Sequence, residues 1–177
     1  MTYPRVTEIL PSPDFSKVPE HILTNATERG TKVHRIIAAI CQGLWVASIP
    51  EDCRGYVESF QRWFDEYVEE VIFVEQELID PIYEFRGHID FFGKLRKIAL
   101  YGLTDWKTPI ISQESWRLQM AAYNRLLEAN GVIVDLVASL QLHPEGKVPK
   151  MIRYEGTSAS DFNVFLGLLN GFKFLNT

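Results

Sequence analysis

Two β-patterned segments, Arg86-Gly87-His88-Ile89-Asp90 and Thr104-Asp105-Trp106-Lys107-Thr108, restrict the folds open to this chain more than any other feature. A turn-like Lys94-Leu95-Arg96-Lys97 lies between them. Side chains alternate faces along a strand, so Asp105 and Lys107 project to one side. With the segments paired as a hairpin, Asp90 approaches Asp105 across the ladder. Two carboxylates and an ammonium then converge, which is costly unless a divalent cation lies between the carboxylates. Such a constellation suits metal-assisted hydrolysis.

The flanking sequence supplies helices to cover a sheet built on that hairpin. Residues 1–22 read as a short element and a loop through Pro11, Pro13 and Pro19. A helix over 27–42 carries Val33, Ile36, Ile37 and Ile40 as its apolar stripe, with Thr24 or Asn25 as cap and Glu28 near the positive end. Gly30, Thr31 and His34 share one face of it. His34 reads either as a hydrogen-bonded histidine at a helix edge or as part of a site. A second helix over 50–70 buries Tyr56, Phe60, Trp63, Phe64 and Tyr67 and leaves its acidic residues, Glu69 and Glu70 among them, in solvent.

Strands follow over 71–79, 83–95 and 98–106. In the second, Glu84, Arg86, His88 and Asp90 share one face, while Phe85, Ile89 and Phe91 take the other. Gly87 marks a bulge or a close backbone approach. A third helix over 112–130 starts at Ser112 and stops at Gly131, with Trp116, Gln119 and Tyr123 on one face. Strands over 132–142 and 150–154 and a helix over 158–174, capped by Ser158 or Ser160, complete the chain. The order ααβββαββα predicts one α/β domain over residues 1–177, a central mixed β-sheet flanked by helices.

Composition narrows the function classes. With 46% hydrophobic and 12% aromatic residues the chain can bury a core and is not disordered. A net charge of -5 excludes a generally basic surface, so any nucleic-acid contact needs a local patch. No apolar run reaches the ~20 residues of a membrane span. The start, Met1-Thr2-Tyr3-Pro4-Arg5, lacks the pattern of a secretory signal, and cytoplasmic residence is expected, in the host cytoplasm for a viral chain. Cys41 and Cys53 are too few for a four-thiolate cluster or zinc ribbon, and no disulfide between them is expected in a reducing compartment.

Gly30-Thr31-x-x-His34 on a helix, Gly87-x-x-Asp90 and Asp105-Trp106-Lys107 on strands, and Gln119-x-x-x-Tyr123 on the next helix occur in that order over about residues 27–127. In this the chain resembles the PD-(D/E)XK nuclease superfamily, in particular its RecB-like exonuclease branch with phage and mitochondrial members. The resemblance implies a restriction-endonuclease-like core and a DNA substrate. It implies that His34, Asp90 and Asp105, with the Trp106 carbonyl, ligate Mg²⁺ or Mn²⁺. Hard carboxylate oxygens suit those ions, and a histidine ligand tilts the preference toward manganese. It also implies that Lys107 holds or deprotonates the attacking water, and that Gln119 and Tyr123 support that lysine or touch the DNA backbone. The four cysteines of the iron–sulfur members are missing. An acidic ligand from the first helix or strand, found in some members, would here be Glu75 or Glu77, which otherwise read as hydrogen-bonded strand carboxylates. His88 shares Asp90's face.

Cations that would meet DNA are Lys32 and Arg35 beside His34, Arg86, Lys94, Arg96 and Lys97 in the hairpin, and Arg117. Each alone also reads as solvated surface charge. Trp106 and Trp116 read as core or as platforms for unpaired bases. The expected function is a metal-dependent DNA exonuclease in recombination, repair or phage DNA processing, acting on linear or single-stranded ends. A recombination protein is a candidate partner, self-assembly is open, and no membrane is involved. An endonuclease or junction resolvase on the same core is one alternative. A catalytically inactive nucleic-acid-binding module is another, although such a module has no chemical need for Lys107.

Overall fold

Five strands form one mixed sheet in the order β1-β2-β3-β4-β5. The computed structural model describes residues 3–96, 100–109, 111, 113–155 and 158–176, with Ser158 described in its backbone alone. Lys97, the predicted strand start at Ile98, the predicted helix start at Ser112 and the Ser158 cap therefore lie outside the described residues and side chains.

Strands β1 (Val68–Asp80), β2 (Phe85–Leu95) and β3 (Leu100–Lys107) form an antiparallel meander. Strand β4 (Leu136–Gln141) lies parallel to β3, and β5 (Lys150–Arg153) is antiparallel to β4. The parallel pair requires a crossover, which α4 (Ser115–Ala129) makes. Helices α2 (Glu20–Cys41) and α3 (Glu51–Tyr67) cover one face, burying Val33, Ile37, Phe60 and Trp63 against Phe91 and Trp106. Helices α1 (Val6–Ile9), α4 and α5 (Ser158–Leu175) cover the other, where Met120, Tyr123 and Phe165 meet Phe85, Ile89 and Leu103. No described helix is long and apolar enough to cross a membrane.

Several expectations need correction. The order opens with an additional four-residue helix, α1. Helix α2 begins at Glu20 and not at 27, because Pro19 precedes the first turn, where its fixed φ suits a helix start. Helix α3 stops at Tyr67, and β1 starts at Val68, ahead of the β-rich Val71-Ile72-Phe73-Val74. Glu69 is therefore a strand residue, and its carboxylate accepts from Lys94 at 2.7 Å. Phe91 does not share the face of Ile89. It packs under α2 and α3, whereas Phe92 takes the α4 face.

Gly87 marks a close approach: a Cβ there would lie 2.7 Å from both Leu126 and the Tyr123 ring on α4. Cys41 and Cys53 are free and buried, and burial pushes the Cys41 thiol up to about 12.

Candidate active site

The site lies where β2 and β3 part. Their ladder stops at Phe91↔Thr104, and Asp90 and Asp105 are the next residue on each strand. In that register the following hydrogen-bonded pair would join Ile89 to Trp106. Instead, the peptide groups of Trp106 are satisfied by side chains. Its N–H donates to Asp90 Oδ2 at 2.8 Å, and its carbonyl accepts from His34 Nε2 at 3.1 Å. Farther along β2, the N-terminal segment takes the edge that β3 has left, with an Arg5↔Arg86 parallel bridge and the Pro4 carbonyl accepting from Arg86 N–H at 3.0 Å.

A backbone reversal aims the first group of side chains. Glu75 stands opposite Asp90 in the β1–β2 register, between Val74↔Phe91 and Gln76↔Ile89, and has φ 50. That left-handed conformation costs a non-glycine residue roughly 1–2 kcal/mol. There the pleat changes phase in both strands. Val74 and Glu75 face α2 together, as do Phe91 and Asp90. Ligand atoms of His34, Glu75 and Asp90 consequently lie within 4.8 Å of one another. One Glu75 oxygen pairs with His88 Nδ1 at 3.0 Å, while its Oε1 is buried and accepts no hydrogen bond among the described residues.

The second group approaches from the α4 face. Asp105 and Lys107, two apart on β3, form an ion pair at 2.5 Å. Gln119 of α4 uses its whole amide to hold it: Oε1 accepts from Lys107 Nζ at 2.7 Å, and Nε2 donates to Asp105 Oδ1 at 3.3 Å and to Tyr123 Oη at 2.9 Å. Lys107 also lies over the Trp116 ring, 5.6 Å from its centroid. Gln119 and Tyr123 are buried behind the lysine, out of reach of a polymer in solvent.

Electrostatics follow from this crowding. Burial opposes a charge on His34, but the Asp90 carboxylate beside it at 3.4 Å, with Asp105 and Glu75 beyond, raises the imidazole to about 9. Both ring nitrogens face acceptors, which favours the imidazolium. Burial also works against the Asp90 carboxylate, yet His34, Lys107 and the Trp106 N–H keep it below its ordinary value. Asp105 goes the other way: burial and the nearby Asp90 charge lift it to about 6 despite Lys107. Burial, then Asp105 and Asp90, push the Tyr123 phenol far up, so it remains protonated. Glu75 is raised by burial and by Asp90.

The structure gathers His34, Asp90 and the Trp106 carbonyl on the α2 side and Asp105, Lys107, Gln119 and Tyr123 on the α4 side. The two are near enough for the Asp90 charge to act on Asp105, but Asp105 stands outside the group whose ligand atoms lie within 4.8 Å of one another. The structure adds Glu75 and leaves Glu77 outside, accepting from Arg86 at 2.9 Å. The expected DNA-contacting cations are dispersed. Arg86 is engaged by Glu77 and the Tyr3 carbonyl, and Arg117 by Asp161 at 2.7 Å. Arg96 ties the Asp65 and Val68 carbonyls, joining α3 to β1. Lys32 and Arg35 are exposed and have no ion-pair partner among the described residues, but only Arg35 lines the groove beside His34. Trp106 and Trp116 are core residues. The exposed indole is that of Trp45, which sequence patterning passed over; its one signal was an apolar Leu44-Trp45 pair outside any helical stripe. Compared with known proteins, the chain matches no family model and no curated protein.

Proposed function

We propose that this chain is a Mg²⁺- or Mn²⁺-dependent deoxyribonuclease with a restriction-endonuclease-like core, acting as an exonuclease on DNA ends in recombination, repair or phage DNA processing. The observation that carries this reading is the convergence on Trp106. Its neighbours Asp105 and Lys107 form an ion pair on one side of the sheet, and its peptide groups hold Asp90 and His34 at the gap between strands. The donor set fits a hard divalent cation: two buried, mutually repelling carboxylates, a carbonyl and a Glu75 oxygen that has no partner among the described residues. His34, Asp90 and Glu75, whose ligand atoms cluster, would hold the ion with the Trp106 carbonyl, and Asp105 would join from the α4 side. When bound, it supplies a lowered pKa for water and charge relief for a phosphate.

The protein's own groups do the positioning. Lys107, clamped between Asp105 and Gln119, keeps its ammonium at one point, where it can hold the attacking water and meet the charge that grows on the scissile phosphate. Gln119 holds that lysine and Tyr123 holds Gln119; they are positioning residues. Cytoplasmic residence and delivery of substrate by a recombination protein go with this reading.

The test compares linear with covalently closed circular DNA, in Mg²⁺ or Mn²⁺ and in EDTA. Linear DNA should be degraded in metal alone, and Lys107→Ala should lower the rate at least about 100-fold while DNA binding persists. Equal cleavage by wild type and variant overturns the mechanism. Rapid nicking of the closed circle assigns the endonuclease or resolvase alternative, and binding without any cleavage assigns the inactive module.

A further inference from the structure

We propose that the groove along α2 is the track of an unpaired nucleic-acid strand leaving the site, and that Trp45 is the platform on which one of its bases stacks. The identity of the strand rests on the nuclease reading; the platform does not.

The groove has a volume of about 710 Å³ and opens directly onto His34 and Glu75, so whatever occupies the site continues into it. Its floor is a stripe of α2 running from Thr27 through Gly30 and Ala38 to Gln42, roughly 22 Å at 1.5 Å per residue. That length accommodates several nucleotides at about 3.4 Å per stacked base. Arg35 stands in the lining as an exposed cation with no ion-pair partner among the described residues, placed for a phosphate.

The far end is shaped by the chain itself. After α2, Gly43 adopts φ 68 and Leu44 N–H returns to the Ala39 carbonyl at 2.9 Å. Leu44 is thereby folded onto the helix end as part of the groove, and the next residue, Trp45, is 86% exposed. Trp63, Trp106 and Trp116 are 2%, 1% and 4% exposed. A lone indole left in water, one residue beyond the Leu44 that lines the groove, gains nothing from the fold; covering its face is favourable. A nucleobase does this irrespective of sequence, but only if it is unpaired, because bases inside a duplex already cover one another. Trp45 therefore selects single strands or frayed ends over intact duplex.

The burial of the other indoles makes the test direct, since acrylamide reaches Trp45 far more readily than the rest. The probe is a phosphorothioate-linked oligo(dT), which resists hydrolysis, titrated in Mg²⁺ with a blunt duplex of equal length alongside. Oligo(dT) should quench the accessible fluorescence and shield it from acrylamide, and the duplex should not. Trp45→Ala should bind oligo(dT) roughly 5- to 150-fold more weakly, the range expected for one stacked base, with Trp45→Phe retaining most of the affinity. Arg35→Ala should reduce the salt slope of binding by about one. Oligo(dT) binding without acrylamide shielding, unaltered affinity in Trp45→Ala, or equal shielding by the duplex each overturns the proposal. Shielded binding with no cleavage of ordinary DNA would remove the nuclease reading and leave the platform standing. Normal cleavage without shielding would do the reverse.

Discussion

A cation entering the site must displace protons, foremost that of His34. Burial opposes charge on His34, but Asp90, Asp105 and Glu75 together outweigh it and hold the imidazole at about 9. Burial and Asp90 hold Asp105 at about 6. Between about pH 6.5 and 8.5 the ion therefore displaces one proton, that of His34, and affinity should rise about tenfold per pH unit. Across that window the gain is about 100-fold, or about 2.7 kcal/mol. At more acid pH Asp105 is protonated as well, and the slope should approach about two. Calorimetric titration with Mn²⁺ in buffers of different ionisation enthalpy counts the protons directly, and about one should be released near pH 7.5. His34→Gln keeps an amide that can donate to the Trp106 carbonyl but carries no titrating proton. It should bind Mn²⁺ more weakly and with little slope in this window. A flat wild-type affinity, or an undiminished slope in His34→Gln, would falsify the assignment of the imidazole as a ligand.

Other outcomes follow from the same geometry. In EDTA, His34 lies above its unfolded value of 6.5, so its stabilisation is complete below that pH and is lost as pH rises through about 9. Asp105 is also raised, from 3.8 to about 6, so its charged form destabilises and stability returns as pH falls through about 6. Calorimetry in EDTA should show a lower Tm at alkaline pH; His34 contributes roughly 2 kcal/mol after allowance for partial exposure, about 4–8 °C. A Tm that climbs with pH contradicts this. Gln119→Leu removes the acceptor at 2.7 Å from Lys107, and single-turnover cleavage should slow about 10- to 100-fold with DNA affinity little changed. A weakened affinity at constant turnover would instead put Gln119 in contact with substrate. Gly87→Ala inserts a methyl group 2.7 Å from Tyr123 and Leu126 and should lower stability by about 1–3 kcal/mol, read from the urea midpoint; an unmoved midpoint would show that α4 is free to retreat.

Much of the framework is written locally. Period-two alternation puts Asp105 and Lys107 on one face, and their ion pair needs nothing beyond a strand. The stripes of Val33 and Ile37 and of Phe60 and Trp63 mark α2 and α3 as helices packed on one side, which they are. The spacing of Gln119 and Tyr123 brings them one turn apart, and they do touch. Such features depend on neighbours within a few residues, so short-range periodicity carries them.

What periodicity cannot carry is where a ladder stops. His34 reaches a carbonyl 72 positions away because β2 and β3 separate after Phe91↔Thr104, leaving the Trp106 peptide groups for side chains. Glu75 joins the site through a left-handed residue in mid-strand, and the same reversal turns Phe91 away from the face that alternation assigns it. Arg86 and Arg117 are claimed by Glu77 and Asp161, partners no spacing rule identifies, while Trp45 and not Trp106 is left in solvent. These outcomes are set by the competition of two helical layers for the two faces of one twisted sheet. Each backbone amide and each buried charge must find a partner once the layers have packed, and that requirement is a property of the assembled chain.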